Sequence, residues 1–291
     1  MRLTGKKAII TGCSRGLGAV IAEAFWKQGA DLLLVARSEA GLDQLRSRLL
    51  LQNSEDSGRI HIFCADLEQE AAPKAIISEA RRIWPRVDIL VNNAGVIGPM
   101  GIVSDNDWAL WRNAIQVNLL APAELCQLTI GWMREAGSGG SIINLSGGGA
   151  ASPRPYFSAY GTSKCGLVRF SETVAAEVVS LGIRVNCIAP GAMNTEMLQQ
   201  TLRAGPESVG QEEYERIVKF AASGGADPNV AADLAVYLAS EASANITGRL
   251  ISAIWDPWKG LHEHADEMSK TDVYTLRRIM PEERGKVWSN A

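Results

Sequence analysis

Ala8-Ile9-Ile10-Thr11-Gly12-Cys13-Ser14-Arg15-Gly16-Leu17-Gly18 decides how the chain is read: a short apolar strand, a turn with glycines at 12, 16 and 18, then an amphipathic run to Gln28. A strand that feeds a glycine turn and then a helix points unpaired N–H groups and the positive end of the helix dipole at one place. Gly12, Gly16 and Gly18 let backbone approach a pyrophosphate there, and Ser14, Arg15 and Leu17 complete the turn. The spacing is Gly-x-x-x-Gly-x-Gly rather than the commoner Gly-x-Gly-x-x-Gly. The same triad would also make a plain tight turn, but its place between the first strand and the first helix favours dinucleotide binding.

Downstream, short apolar runs alternate with longer amphipathic ones. Ala8–Ile10, Leu32–Ala36, Ile60–Cys64, Ile89–Val91, Ile142–Leu145, Val185–Ile188 and Leu250–Ile254 read as strands, nearly all apolar on both faces. Buried parallel strands have that composition. Helices are expected at Gly16–Gln28, Glu39–Leu51, Ala71–Trp84, Asp107–Glu135, Phe157–Leu181 and Asn229–Ser240. Repeated βαβ units imply an α/β fold, a Rossmann-type doubly wound parallel sheet in a single domain over residues 1–255. Within it, residues 194–226 carry Gly205-Pro206 and Gly224-Gly225 around polar helical sequence, as a substrate lid would. Residues 256–291 form a C-terminal extension too long for a frayed end.

The end of the second strand bears on which coenzyme fits. An acid there accepts from the 2′-hydroxyl of NAD, whereas NADP sites avoid the acid and supply cations. The sequence is Val35-Ala36-Arg37-Ser38, and Arg37 together with Arg15 can clamp a 2′-phosphate, which favours NADP(H) over NAD(H).

Tyr160-Gly161-Thr162-Ser163-Lys164 supplies the chemistry. Positions four apart share a helix face, so the Lys164 ammonium is expected to stabilise a Tyr160 phenolate and lower its pKa from about 10. On its own the pair is a common accident of solvated helices; following a dinucleotide turn, it reads as a proton donor for carbonyl chemistry.

These motifs, in this order, resemble the short-chain dehydrogenase/reductase family over roughly residues 5–254. Thr11 to Gly18 is similar to its glycine-rich segment, and Tyr160 and Lys164 to its catalytic pair. Asp66 and Leu67, after the third strand, fall where the family contacts adenine. Asn92-Asn93-Ala94-Gly95 matches its signature after the fourth strand, which adds Asn93, Ala94 and Gly95 to the coenzyme residues. Asn118 falls on the family's helix asparagine, and Pro190-Gly191-Ala192-Met193-Asn194-Thr195 resembles its nicotinamide segment, with Pro190, Gly191 and Thr195 in contact. The resemblance implies hydride exchange between nicotinamide and a carbonyl carbon while Tyr160 gives or takes the proton. It also implies that Lys164 bonds the nicotinamide ribose and joins a proton relay through a water on the Asn118 backbone. For Asn118 the structural reading is a polar residue mending a kink near Pro122.

One position departs from the family. The serine that bonds the reacting oxygen lies thirteen residues before the tyrosine, and here that residue is Gly147, in Asn144-Leu145-Ser146-Gly147-Gly148-Gly149. Ser146 is the first candidate to replace it. Ser152, Tyr156, Ser158 or the N–H groups of Gly147 and Gly148 are the others. The C-terminal edge departs as well: Trp255-Asp256-Pro257-Trp258 stands where the family ends its last strand, either to line the pocket or to anchor the tail.

A net charge of −3 over 291 residues argues against nucleic acid or an anionic membrane as partner, and 46% hydrophobic residues suffice for a core. The five cysteines are scattered and unpaired, as reduced structural thiols are. His262 and His264 lack a third ligand, so no metal is expected. The expectation is a cytoplasmic enzyme acting on a small carbonyl or alcohol substrate. The resemblance implies a homodimer or homotetramer built on helices 107–135 and 157–181. Two alternatives stand beside it: a non-catalytic NADP(H)-binding sensor, motivated by Gly147, and a nucleotide-sugar epimerase or dehydratase, which usually has a different glycine spacing and a larger C-terminal domain.

Overall fold

The computed structural model describes residues 1–52 and 58–288. Seven strands, β1 (Lys7–Thr11), β2 (Asp31–Ala36), β3 (Ile60–Cys64), β4 (Ile89–Asn92), β5 (Gly140–Leu145), β6 (Ile183–Ala189) and β7 (Leu250–Ser252), form one parallel sheet in the order β3-β2-β1-β4-β5-β6-β7. Chain order reverses between β1 and β4. A crevice opens at that switch, outside the carboxyl ends of the strands.

The period of two in the strands sends side chains to opposite layers. Ile10, Leu32 and Leu34 pack with α1 (Gly16–Lys27), α2 (Glu39–Leu51) and α9 (Pro228–Ala239). Ile9, Leu33 and Val35 pack on the other face with α3 (Ala72–Ile83), α5 (Ala121–Ala136) and α6 (Ser158–Val178). Both faces are therefore apolar, which explains why the strands read as unbroken hydrophobic runs.

Two elements differ from the sequence reading. The helix expected over 107–135 is instead α4 (Trp108–Ile115), a π-turn at Gln116–Leu120 and α5. Pro122 has no N–H, and its ring would strike the carbonyl four residues back, that of Asn118; the wider turn relieves this. The last strand stops at Ser252 rather than Ile254, because Asp256 accepts from Ser252 N at 2.6 Å and Ser252 Oγ from Trp255 N at 3.2 Å, turning the chain out of the sheet. Between residues 194 and 226, where polar helical sequence was expected, lie α7 (Glu196–Val209), kinked at Gly205 with φ 76, and α8 (Gln211–Ala222), joined at Gly210.

The extension docks. Trp258, Leu261, Ala265 and Met268 join the core beside α9, and Trp258 Nε1 donates to Ala253 O at 3.1 Å. Buried Arg249 donates to the carbonyls of Thr271 at 3.0 Å, Val273 at 2.7 Å and Met268. Leu250 N on the edge strand donates to Tyr274 O at 2.8 Å, so the extension covers part of that edge. Residues 289–291 of the extension lie outside the described residues.

Candidate active site

The crevice is a cleft of about 1840 Å³, floored by the ends of β1, β4 and β5 and walled by α7, α8 and the loop before α6. Its coenzyme end is built around the glycine turn. Gly12 has φ +67, and a Cβ there would lie 2.6 Å from Ala94 Cα, so only glycine permits the turn to press on the Asn93–Gly95 loop. Asn93 Nδ2 donates to the Thr11 and Gly12 carbonyls at 3.0 Å, and Thr11 Oγ1 accepts from Asn93 N at 3.1 Å and Ala94 N at 3.2 Å. A side chain at Gly18 would strike Asn93 Nδ2 and Gly12 O. Gly18 thus serves this joint between two loops and also lines the cleft. Ser14, Arg15, Gly16 and Leu17 line the cleft at the start of α1.

Asp66 and Leu67 lie on the cleft wall, and Asp66 Oδ1 accepts from Glu68 N at 3.1 Å. Glu68 is the residue sequence reasoning missed. It pairs with Arg37 at 3.0 Å, so an acid from the loop after β3 reaches the end of β2, where the local sequence has none. Its nearness in sequence to Asp66 was the available signal. Arg15 makes no ion pair among the described residues. At the far side Pro190, Gly191 and Thr195 line the cleft after β6.

Tyr160 and Lys164 occupy the first two turns of α6, and both are buried. Lys164 Nζ donates to Leu145 O at 2.8 Å and lies 5.8 Å from the centre of the Tyr160 ring. Burial lowers the Lys164 pKa to about 8. The Tyr160 phenol is pushed up, not down: burial dominates, and the opposing charge is that of Arg154 rather than Lys164. That corrects the sequence reading, in which the Lys164 ammonium was to lower it. Arg154 lies in the loop before α6, 3.7 Å above the Phe157 ring, and reaches Glu213 of α8 at 2.9 and 2.7 Å.

Asn118 is buried in the π-turn. Its side chain accepts from Val96 N at 2.8 Å and donates to Val96 O at 2.8 Å and Ser163 Oγ at 3.1 Å. Those bonds occupy the amide, which leaves the backbone carbonyl, deprived of a proline N–H four residues on, as the group Asn118 can offer a water. Ser146 is buried at the end of β5, and its Oγ has no partner among the described residues. An orphaned buried hydroxyl facing a cleft suits a ligand oxygen. The two tryptophans separate: Trp258 is an anchor in the core, and Trp255 lines the cleft with 84% of its surface exposed.

No group of three metal-ligating side chains occurs among the described residues, and no described helix is long and apolar enough to cross a membrane. Cys13, Cys126 and Cys187 are buried, with thiol pKa values pushed up to about 12 by burial, while Cys64 and Cys165 are exposed.

Residues 6–205 match the model of the short chain dehydrogenases. The chain belongs to that family. This short chain dehydrogenase is 34% identical over 249 residues to D-threitol dehydrogenase of Mycolicibacterium smegmatis, covering 85% of this chain and 90% of the relative. A Beutenbergia cavernae protein with bound NADP is 27% identical, with a TM-score of 0.75 over 86% of this chain and 96% of that one. Carveol dehydrogenase from Mycobacterium avium in complex with NAD shares the fold at 24% identity and a TM-score of 0.76, over 86% of this chain and 96% of that one. Membership places the chain among nicotinamide-dependent oxidoreductases that act on CH–OH or C=O groups.

Proposed function

We propose that the protein interconverts a small carbonyl compound and its alcohol with NADP(H), Tyr160 acting as general acid and base. What carries the reading is one juxtaposition: Tyr160, Lys164 and the unpartnered Ser146 hydroxyl meet on the floor of the cleft that the glycine turn opens into. The glycine turn and the N-terminus of α1 suit the pyrophosphate, Asp66 and Leu67 the adenine, and Gly95, Pro190, Gly191 and Thr195 the nicotinamide end. A coenzyme bound there supplies or accepts the hydride at the substrate carbon.

The protein's own groups manage oxygen and proton. Ser146 Oγ donates to the substrate oxygen, and Tyr160 Oη delivers the proton as that oxygen gains charge. Lys164, which lines the cleft and is charged below about pH 8, stabilises the phenolate left behind. A water on the Asn118 carbonyl returns the proton to Tyr160 by way of Lys164. Arg154 adds a second cation on the phenol's side. For the coenzyme, Arg15 and Arg37 favour a 2′-phosphate, with Glu68 opposing Arg37. Residues 194–226 act as the substrate lid, carrying Met197, Leu198 and Gln200 over the cleft. Trp255 guards its mouth.

Tyr160→Phe tests the assignment. NADPH oxidation over a panel of aldehydes and ketones should fall by roughly a hundredfold or more while NADPH binding persists. Equal turnover in the variant would remove Tyr160 from the chemistry.

A further inference from the structure

Gly147 stands where the family places its serine, and its surroundings explain why. Its φ is outside the left-handed region, so the backbone itself would accept any residue. What excludes a side chain is Tyr160. A Cβ at Gly147 would fall into the Tyr160 hydroxyl and lie 2.9 Å from Cζ, separations that real Cβ atoms essentially never show, and 3.0 Å from Cε1. Tyr160 cannot yield easily, because its ring is buried among Ile97, Phe157 and Val209.

The glycine run continues this contact. Gly149, with φ +94, brings its Cα against the first turn of α6: a Cβ there would lie 3.1 Å from Gly161 Cα. Gly147 O accepts from Ala150 N at 3.3 Å, which folds the run into a turn beneath that helix end. Two successive helix residues, 160 and 161, therefore rest on bare backbone at 147 and 149.

We propose that Gly147 is a positioning residue for Tyr160: its backbone is the seat of the tyrosine hydroxyl, which occupies the space a serine side chain would need. The glycine is then a different solution to placing the tyrosine, not the scar of a lost donor. It follows that restoring the family's serine harms this protein, since close-packed interiors do not absorb two extra atoms without displacing a neighbour.

A stability cycle tests this without any substrate. Gly147→Ala should lower Tm by about 3–8 °C in the wild-type background, and by less than half of that in a Tyr160→Ala background, where the obstructing ring is gone. If Gly147→Ala fails to fold alone, recovery of folding in the double variant gives the same answer. Equal losses in both backgrounds would overturn the proposal. The kinetic arm rests on the proposed role of Tyr160: Gly147→Ser should lower kcat at least tenfold with the NADPH Kd unchanged within twofold. A Gly147→Ser variant with higher kcat than wild type would also overturn it, by making the serine a missing donor. Failure of the Tyr160 chemistry would show instead as an intact stability cycle with no dependence of turnover on Tyr160.

Discussion

At the residue scale, the arrangement turns on where two titratable side chains are allowed to sit. Lys164 is 4% exposed and holds one carbonyl, so its pKa is lowered from 10.5 to about 8 by burial. The folded value lies below the unfolded one, so the folded state binds fewer protons between the two. The buried charge is a burden that is complete below pH 8 and lifts as pH rises from 8 toward 10.5. Lys164→Met carries no such burden. Its stability relative to wild type should therefore fall by up to about 3 kcal/mol between pH 7 and pH 10, measured by urea unfolding at each pH. A gap that does not move with pH would contradict the assigned protonation. Tyr160 shows the limit of reasoning from spacing. Tyr160 and Lys164 do share a helix face, but their relative reach was set by Leu145, which captures the ammonium, and by Arg154, which no i,i+4 rule could place beside the phenol.

At the element scale, the loop before α6 and helix α8 are joined across the cleft. Arg154 makes two bonds to Glu213, with side chains only 19% and 17% exposed, and the Tyr156 ring abuts Gly210 where α7 meets α8. Tyr156 holds φ +69, a strained value for a non-glycine residue, and is kept there partly by Gly101 N donating to its carbonyl at 3.0 Å. Glu213→Ala should therefore loosen α8 first. Amide exchange of α8 is expected to accelerate about tenfold, with the β1 and β4 amides unchanged; identical exchange throughout would show that the pair does not restrain the helix. Most elements were legible because their apolar runs or amphipathic periods are unambiguous. The π-turn was not, since it depends on which carbonyl Pro122 displaces and on Asn118 finding Val96 and Ser163, contacts distant in sequence. Glu68 escaped for a similar reason: the β3–α3 loop meets the end of β2 only once the sheet is assembled.

At the scale of the whole molecule, one sheet fixes the cleft and one extension covers part of the far edge. Arg249 binds three carbonyls of that extension from a buried position. Arg249→Ala should cost about 2 kcal/mol and lower Tm by about 4–8 °C, while leaving coenzyme affinity unchanged. A Tm within 1 °C of wild type, on the order of experimental scatter, would mean the extension docks without it. The doubly wound parallel sheet followed from the alternation of strands and helices, whereas the strand order came only from the assembled sheet, and the docking of the extension rested on no periodic signal and emerged only from Arg249, Trp258 and Tyr274 meeting the last strand.

The central claim, that this cleft is an NADP(H) site, is tested most directly by titrating the protein with NADPH and NADH and following nicotinamide fluorescence, with Glu68→Gln measured alongside. The account predicts NADPH binding at least tenfold tighter than NADH, from one or two charge-assisted contacts to the 2′-phosphate, and a further gain for NADPH in Glu68→Gln as Arg37 is released. NADH binding tighter than NADPH would contradict the coenzyme assignment, and no binding of either would contradict the site.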